Sequence, residues 1–439
     1  MGNPQSSEEW HEMSSAREVV IIGAGVIGCS IAYEFAKAGR KVLVLDRAKG
    51  PGMGSTSASS AAVRFNYSTF AGVAAAWESH HAWREWEEHL GGTDDGLLAR
   101  FHRTGALFLD APSLDHEATC AVFDEIGVPY ERWTAEQIRE RTPGIEPARH
   151  YPHKPVTSER FWDDPDGELS GTWTPDAGFV DDPAFAAHNL MVAAQRNGAE
   201  FLLGQTVMGI DIRDGRVTGV RTAEGSIGCA VLVNAAGPHS SAVNEMAGVL
   251  DEFRISTRPL RQEVHELPGD GREHPLVADL DLGIYFRRTP SGKLLVGGAE
   301  PDCDPLVWLD DADDYAMNPS RSVYEAQTYR AARRLPDVRV PGAVRGIAGV
   351  YDVSTDWAPI YDRTSVDGYY VAIGTSGNQF KNAPVVGGFL HAIVSASESG
   401  AEHDLRPVEY TLPRTGVVLN LGCYSRLREP SSTAGNVMG

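Results

Sequence analysis

The chain is short of positive charge, of cysteine and of long apolar runs, and each shortage excludes something. Thirty-nine Lys and Arg face 60 Asp and Glu, giving a formal net charge of −21. A surface of that sign repels phosphate backbones and anionic headgroups, so neither nucleic acid nor a membrane is expected as a partner. No stretch approaches the roughly 18 apolar residues that a spanning helix needs. The five cysteines, Cys29, Cys120, Cys229, Cys303 and Cys423, are scattered without metal-ligand spacing. An odd, sparse set predicts reduced thiols, a cytoplasmic setting and no metal site. Residues 1–16 lack a basic stretch followed by an apolar one, so no signal peptide is expected, and they read as a disordered arm. There is no tandem repeat and no low-complexity tract.

What is present is concentrated at residues 17–47, REVVIIGAGVIGCSIAYEFAKAGRKVLVLDR. An apolar run, Val19 to Ile22, enters a turn with Gly23, Gly25 and Gly28 in G-x-G-x-x-G spacing. A helical stretch and a second apolar run, Val42 to Leu45, lead to Asp46. In a dinucleotide site the first glycine makes the tight turn, the second admits the pyrophosphate, and the third lets helix and strand pack closely. The helix N-terminus, beginning at Val26 and Ile27, offers free N–H groups and a positive dipole end to the phosphates. Asp46 stands 18 residues beyond Gly28, where a carboxylate accepts both ribose hydroxyls.

Further along, the pattern predicts helices near 72–90, 115–126, 183–197 and 323–334. Strands are expected at 105–109, 200–203, 207–213, 216–222, 231–234, 262–267, 283–288 and 293–297. Residues 141–178 are rich in proline, glycine and aspartate and read as loop. Trp77, Trp83 and Trp86 read as core. The expected fold is α/β: a Rossmann-like nucleotide domain from 17–90, 175–255 and 340–400, interleaved with an α+β substrate domain, on a mixed sheet, from 91–174 and 256–339. Residues 401–439 form a C-terminal extension.

Four landmarks carry a family resemblance: the fingerprint closing on Asp46, STSASSAAVR at 55–64, VNAAGPHS at 233–240 and GTSGNQFKNAPVVGG at 374–388. Over residues 17–400 the chain resembles the D-amino-acid oxidase and sarcosine oxidase superfamily of FAD-dependent amine oxidoreductases. The run RFNYSTFAGVAAAWESHHAWREWEEHL at 64–90 is more similar to the sarcosine oxidase β-subunit and dimethylglycine dehydrogenase branch than to glycine oxidase. The resemblance implies an extended FAD. Its adenine and ribose would lie at Gly23, Gly25, Gly28, Asp46 and Arg47, with Val207 giving backbone contacts. Ser55, Thr56, Ser57, Ser59, Ser60, Ala61 and Ala62 would wrap it, and Ala235, Ala236 and Gly237 would line it. The flavin ring would meet Ser59 to Arg64 on one side and Gly377, Asn378, Gln379, Phe380 and Lys381 on another, with Gly349, Gly374 and Ser376 also contacting the cofactor.

The same resemblance discriminates within the superfamily. Amino-acid and glycine oxidases carry a carboxylate-gripping arginine after a W-A-G-L motif; here Ile347-Ala348-Gly349-Val350 is followed by Tyr351. Sarcosine oxidase-like enzymes have a tyrosine there and grip the carboxylate with an Arg and a Lys, which match Arg64 and Lys381. Tyr285 and Gln262 are further pocket candidates. Gln262 and His265, three apart on one strand, face opposite ways. Gly349 stands where monomeric relatives attach FAD through Cys, and residues 54–62 contain no His, so FAD is expected to be non-covalent. Leu295 aligns with a lysine that several oxidases place near flavin N5, which leaves oxidase and dehydrogenase both open. The implied reaction converts a carboxylate-bearing secondary or tertiary amine, or an amino acid, to an imine, with oxygen or another acceptor taking the electrons. A 2-hydroxy-acid oxidoreductase of the same fold and a non-catalytic flavin-binding subunit stay as alternatives.

Overall fold

In a computed structural model the chain is described at residues 17–92, 96–112, 115–431 and 436–438; the arm expected at residues 1–16 lies outside them. Strand β1 (Arg17–Ile22) is buried over its last four residues, runs into helix α1 (Val26–Lys37), and returns as β2 (Val42–Asp46). β1 and β2 pair in parallel, and β1 pairs in parallel with Gly225–Asn234 on its other side. Both faces of such strands are covered, which is why they read as unbroken apolar runs. The sheet has eight strands. Val207–Arg213, Arg216–Thr222 and Gly225–Asn234 precede β1 and β2, Glu200–Leu203 closes the far edge, and Tyr369–Ile373 with Ile360–Arg363 joins beside Gly225–Asn234. α1 packs against the helices Pro183–Arg196 and Ala383–Glu398, so segments from three parts of the chain build one layer.

The second sheet has nine strands and is mixed. Its order is Val307–Trp308, Thr257–Leu267, Leu294–Gly298, Ile284–Arg288, Leu276–Asp279, Ala106–Leu109, Gly171–Thr174 and Glu131–Trp133, with Gly346–Ser354 also paired to Thr257–Leu267. The helix Arg321–Arg334 covers it. A small sheet of Ala62–Val63, Gly178–Val180 and Phe101–Arg103 ties the two together.

Two sequence expectations need correction. Gly346–Ser354 belongs to the mixed sheet, so the last nucleotide-domain segment starts after it and not at residue 340. Residues 141–178 are not all loop: Gly171–Thr174 lies between two partner strands. Four residues with a glycine at one end carry too little alternation to read as strand.

Candidate active site

The glycine turn has the geometry its spacing implies. Gly23 has φ +110°, and a Cβ there would sit 2.3 Å from the Ala235 carbonyl oxygen. A Cβ on Gly28 would sit 1.9 Å from the Gly23 carbonyl oxygen, so this glycine sets how closely α1 approaches the strand. At Gly25 the nearest atom to an added Cβ is Thr56 Oγ1 at 3.4 Å, and Gly25, the N-cap residue, has no side chain to cap the helix. Thr56 Oγ1 accepts from the Val26 amide at 3.1 Å, drawing the serine-rich loop over the turn. Asp46 accepts from the Ala24 and Ala48 amides at 2.6 and 2.7 Å. The Gln205 amide donates to the Asp46 carbonyl, bringing the segment before Val207 beside the acid. Ala235 donates to the Ile22 carbonyl, which sets Ala235, Ala236 and Gly237 at the mouth of the turn. Bare backbone, a helix that starts on a glycine and an adjacent carboxylate fit a dinucleotide. Arg47 does not join them: its guanidinium pairs with Asp313 at the surface.

The other half of the groove comes from both ends of the chain. Ser55 Oγ donates to the Val350 carbonyl at 2.6 Å, and a Cβ on Gly349 would lie 2.7 Å from Ala58 Cβ. Ser57 bonds back to the Gly54 carbonyl, and Ser59 Oγ accepts from Ala61, a residue with φ +51°. Asp352 takes the Gly374 amide on its carboxylate and the Ser376 amide on its carbonyl. Burial pushes that carboxyl up to about 7. A Cβ on Gly377 would strike the Tyr351 ring at 2.3 Å, so this glycine lets the ring lie against the turn. Gln379 is held by Asn378 and Tyr361, and Phe380 stacks on Trp83 at 5.3 Å.

Between these halves lies a cleft that opens to solvent. Ser59, Ser60, Ala62, Arg64, Tyr285, Tyr351, Gly377, Asn378, Phe380 and Lys381 are all on its wall. Arg64 and Lys381 are both buried. Arg64 lies over the Tyr67 ring at 4.9 Å and over Phe108 at 5.7 Å, and donates to the Asn66 and Val437 carbonyls. Lys381 Nζ donates to Tyr67 Oη at 2.8 Å and to the Asn378 carbonyl at 2.6 Å. Among the described residues neither forms an ion pair with a carboxylate. Burial lowers the proton affinity of both, and Arg64 lowers that of Lys381 further, to well below the ordinary lysine value. Two buried like charges held only by neutral oxygens leave a site that an incoming anion would stabilise.

Gln262 is not on the wall. It stands behind it, donating to Glu300 at 2.9 Å. His265, on the opposite face as expected, bonds to Gln327 and Glu263. Lys293 pairs with Glu266 away from the cleft. Leu295 is directly cross-strand from Arg287, and directly opposed side chains share a face. Arg287 is buried, donates to the Ser60 carbonyl at 2.7 Å and lies 4.1 Å over the Phe179 ring. The neighbourhood of the missing lysine therefore does hold a cation, supplied by the facing strand. Sequence reasoning also passed over Tyr67, three residues after Arg64, and Glu300, which follows the Gly297-Gly298 pair. Val437 and Met438 at the chain end were missed too; they line the cleft, and no local signal announces them.

The chain was compared with known proteins. The model of the FAD dependent oxidoreductase (DAO) family matches residues 18–392. The chain belongs to this family. It is thus an FAD-binding oxidoreductase. The sarcosine oxidase subunit beta of Arthrobacter sp is 26% identical over 400 residues, 89% of this chain and 90% of the relative. The mitochondrial dimethylglycine dehydrogenase of Mus musculus is 26% identical over 296 residues, 66% of this chain and 31% of the relative. Among solved structures, L-proline dehydrogenase from P. horikoshii shares the fold, with TM-score 0.73 at 24% identity over 94% of this chain and 97% of that one. The α/β architecture is thus that of the DAO family's amino-acid-oxidising members. Among the described residues no helix is long and apolar enough to cross a membrane.

Proposed function

We propose that this DAO-family protein oxidises the C–N bond of a carboxylate-bearing secondary or tertiary amine, or of an amino acid, to an imine that water then hydrolyses. The observation that carries the reading is the pair of buried cations, Arg64 and Lys381, on one cleft wall with no carboxylate partner among the described residues. FAD, when bound, supplies the acceptor for the hydride equivalent. The turn Gly23–Gly28, Asp46, the 55–62 loop, Ala235–Gly237 and the turn 374–380 would hold it without a covalent bond.

The chain's own groups would bind and orient. Arg64 and Lys381 take the carboxylate through charge-assisted bonds, worth roughly 1.5–3 kcal/mol each. Tyr285 and Tyr351 wall the cleft, and burial raises both phenols, so they stay neutral. A fixed carboxylate holds the adjacent carbon in one place, which is the protein's share of the rate enhancement. The names of the relatives above agree with this substrate class. Oxygen or another acceptor completes the cycle.

The test is anaerobic titration with N-methyl amino acids, D-amino acids and 2-hydroxy acids while the yellow flavin absorbance is followed. Bleaching by amino acids is the expected result. Bleaching by hydroxy acids alone would move the assignment to alcohol oxidation.

A further inference from the structure

Behind the cleft wall, bonded to the wall residue Val437, lies a buried carboxyl group of different character. Glu300 follows the strand Leu294–Gly298 and lies within the electrostatic reach of Tyr285 and Tyr351. Its Oε1 accepts from Gln262 Nε2, and its Oε2 accepts from the Val437 amide at 2.9 Å. Arg64 Nη2 donates to the carbonyl of the same Val437, also at 2.9 Å. One residue thus has its N–H taken by an acid and its C=O taken by a guanidinium, from two different sheets of the protein. Val437 and Met438 are buried on the cleft wall. The extension that carries them is anchored nearby, Arg426 pairing with Asp362 and Asp404, and Arg428 with Asp356.

The atoms held, N–Cα–C=O, are those of an α-amino acid: a nitrogen and a carboxyl oxygen on either side of one carbon. We infer that Arg64 and Glu300 form a clamp for the carboxylate and amine of a free α-amino acid, which Val437 occupies as an internal stand-in that substrate displaces. This rests on the amine-oxidation reading and narrows it. An acceptor needs an N–H to accept from, so primary and secondary amines fit better than neutral tertiary ones. Substrates with a longer spacing between nitrogen and carboxylate do not span the clamp.

The probes are 2-aminoisobutyrate and pivalate, which have the same shape and differ by an ammonium against a methyl group. Neither has a hydrogen on the carbon beside the carboxylate, so neither is oxidised, and their binding to the FAD holoenzyme is read by calorimetry. Above the value of about 8 to which burial pushes Glu300, where the carboxyl is ionised, the wild-type protein is expected to prefer 2-aminoisobutyrate by ~10-fold or more, as a charge-assisted bond requires. Glu300→Gln should collapse that preference while leaving pivalate affinity close to normal, and Glu300→Asp should restore part of it. Arg64→Ala should weaken both ligands. Val437→Pro, which deletes the N–H that Glu300 accepts, should tighten both by ~3-fold or more by removing the competitor. No preference in the wild type, or a preference unmoved by either Glu300 variant, overturns the clamp. Unchanged affinities in Val437→Pro overturn the stand-in. If the clamp behaves as expected but no amino acid bleaches the flavin, the oxidation reading fails alone. If amino acids bleach it and the preference ignores Glu300, the clamp fails alone.

Discussion

In the function proposed above, Arg64 and Lys381 divide one task between two kinds of cation. The guanidinium is fixed by stacking over Tyr67 and by its carbonyl partners, and the ammonium is steered by Tyr67 Oη and the Asn378 carbonyl. Replacing either with alanine should raise substrate KM, or the Kd of the reductive phase, by ~10-fold or more, the loss of one charged hydrogen bond. Flavin content should stay near normal in Lys381→Ala. Stopped-flow reduction at several substrate concentrations separates the two. Glu300 gives a second prediction. Burial pushes its carboxyl up to about 8, whereas an unfolded chain releases that proton near ~4.3. Between these values the native state binds the extra proton, so rising pH favours unfolding through this group. Lys381, depressed by burial, acts in the opposite sense, so the prediction is a difference. Glu300→Gln should gain Tm relative to wild type as pH rises from about 5 to about 8. A constant difference across that range would show that Glu300 is not held protonated.

At the scale of elements, the turn between β1 and α1 is the most constrained piece. Gly25→Val should abolish flavin binding while leaving the far-UV circular dichroism intact, because a side chain there fills the space the phosphates need. Gly28→Ala should instead damage the fold, since its Cβ meets the Gly23 carbonyl at 1.9 Å. Flavin should leave the wild-type protein on acid precipitation, because position 349 is not a cysteine and the 54–62 loop holds no histidine; yellow colour remaining in the pellet would contradict this. These elements were legible because each obeys one strong local rule: a glycine spacing, a period, a helix start. The strands at 200–203, 207–213 and 216–222 match their expected bounds for the same reason. Gly171–Thr174 was not legible, since it owes its pairing to strands distant in sequence, and Leu276–Asp279, though it pairs with nearby Ile284–Arg288, is buried throughout and shows no alternation. Arg47 was misplaced by its position next to Asp46; only the distant loop carrying Asp313 decides where its side chain goes.

The whole molecule is sewn from segments that return to each sheet several times, and the C-terminal extension is the last stitch. Its hairpin, Glu409–Thr411 with Val418–Asn420, leads into the arginine pairs on Asp362, Asp404 and Asp356. Asp356 read as a turn cap in the sequence; it does accept from Ala358, but its main partner is Arg428. Breaking this pair with Arg428→Ala leaves a buried carboxylate with only the neutral donors Ser354, Ala358 and Ser431, and losing the charged partner of a buried pair costs up to roughly 3–5 kcal/mol. The expected result is a clear drop in Tm together with faster proteolysis near the C-terminus. Long-range closures of this kind leave no local pattern, which is why Arg64 and Lys381 could be singled out from family motifs while Glu300 and Val437 could not.

The central claim is that the cleft recognises a carboxylate on the amine it oxidises. It is tested most directly by anaerobic flavin reduction with paired substrates, an N-methyl amino acid and the amine left when its carboxylate is removed. Rapid bleaching by the acid and, at the same concentration, little or none by the amine is the expected result. Equal bleaching by both would contradict it, and would mean that Arg64 and Lys381 serve something other than the substrate.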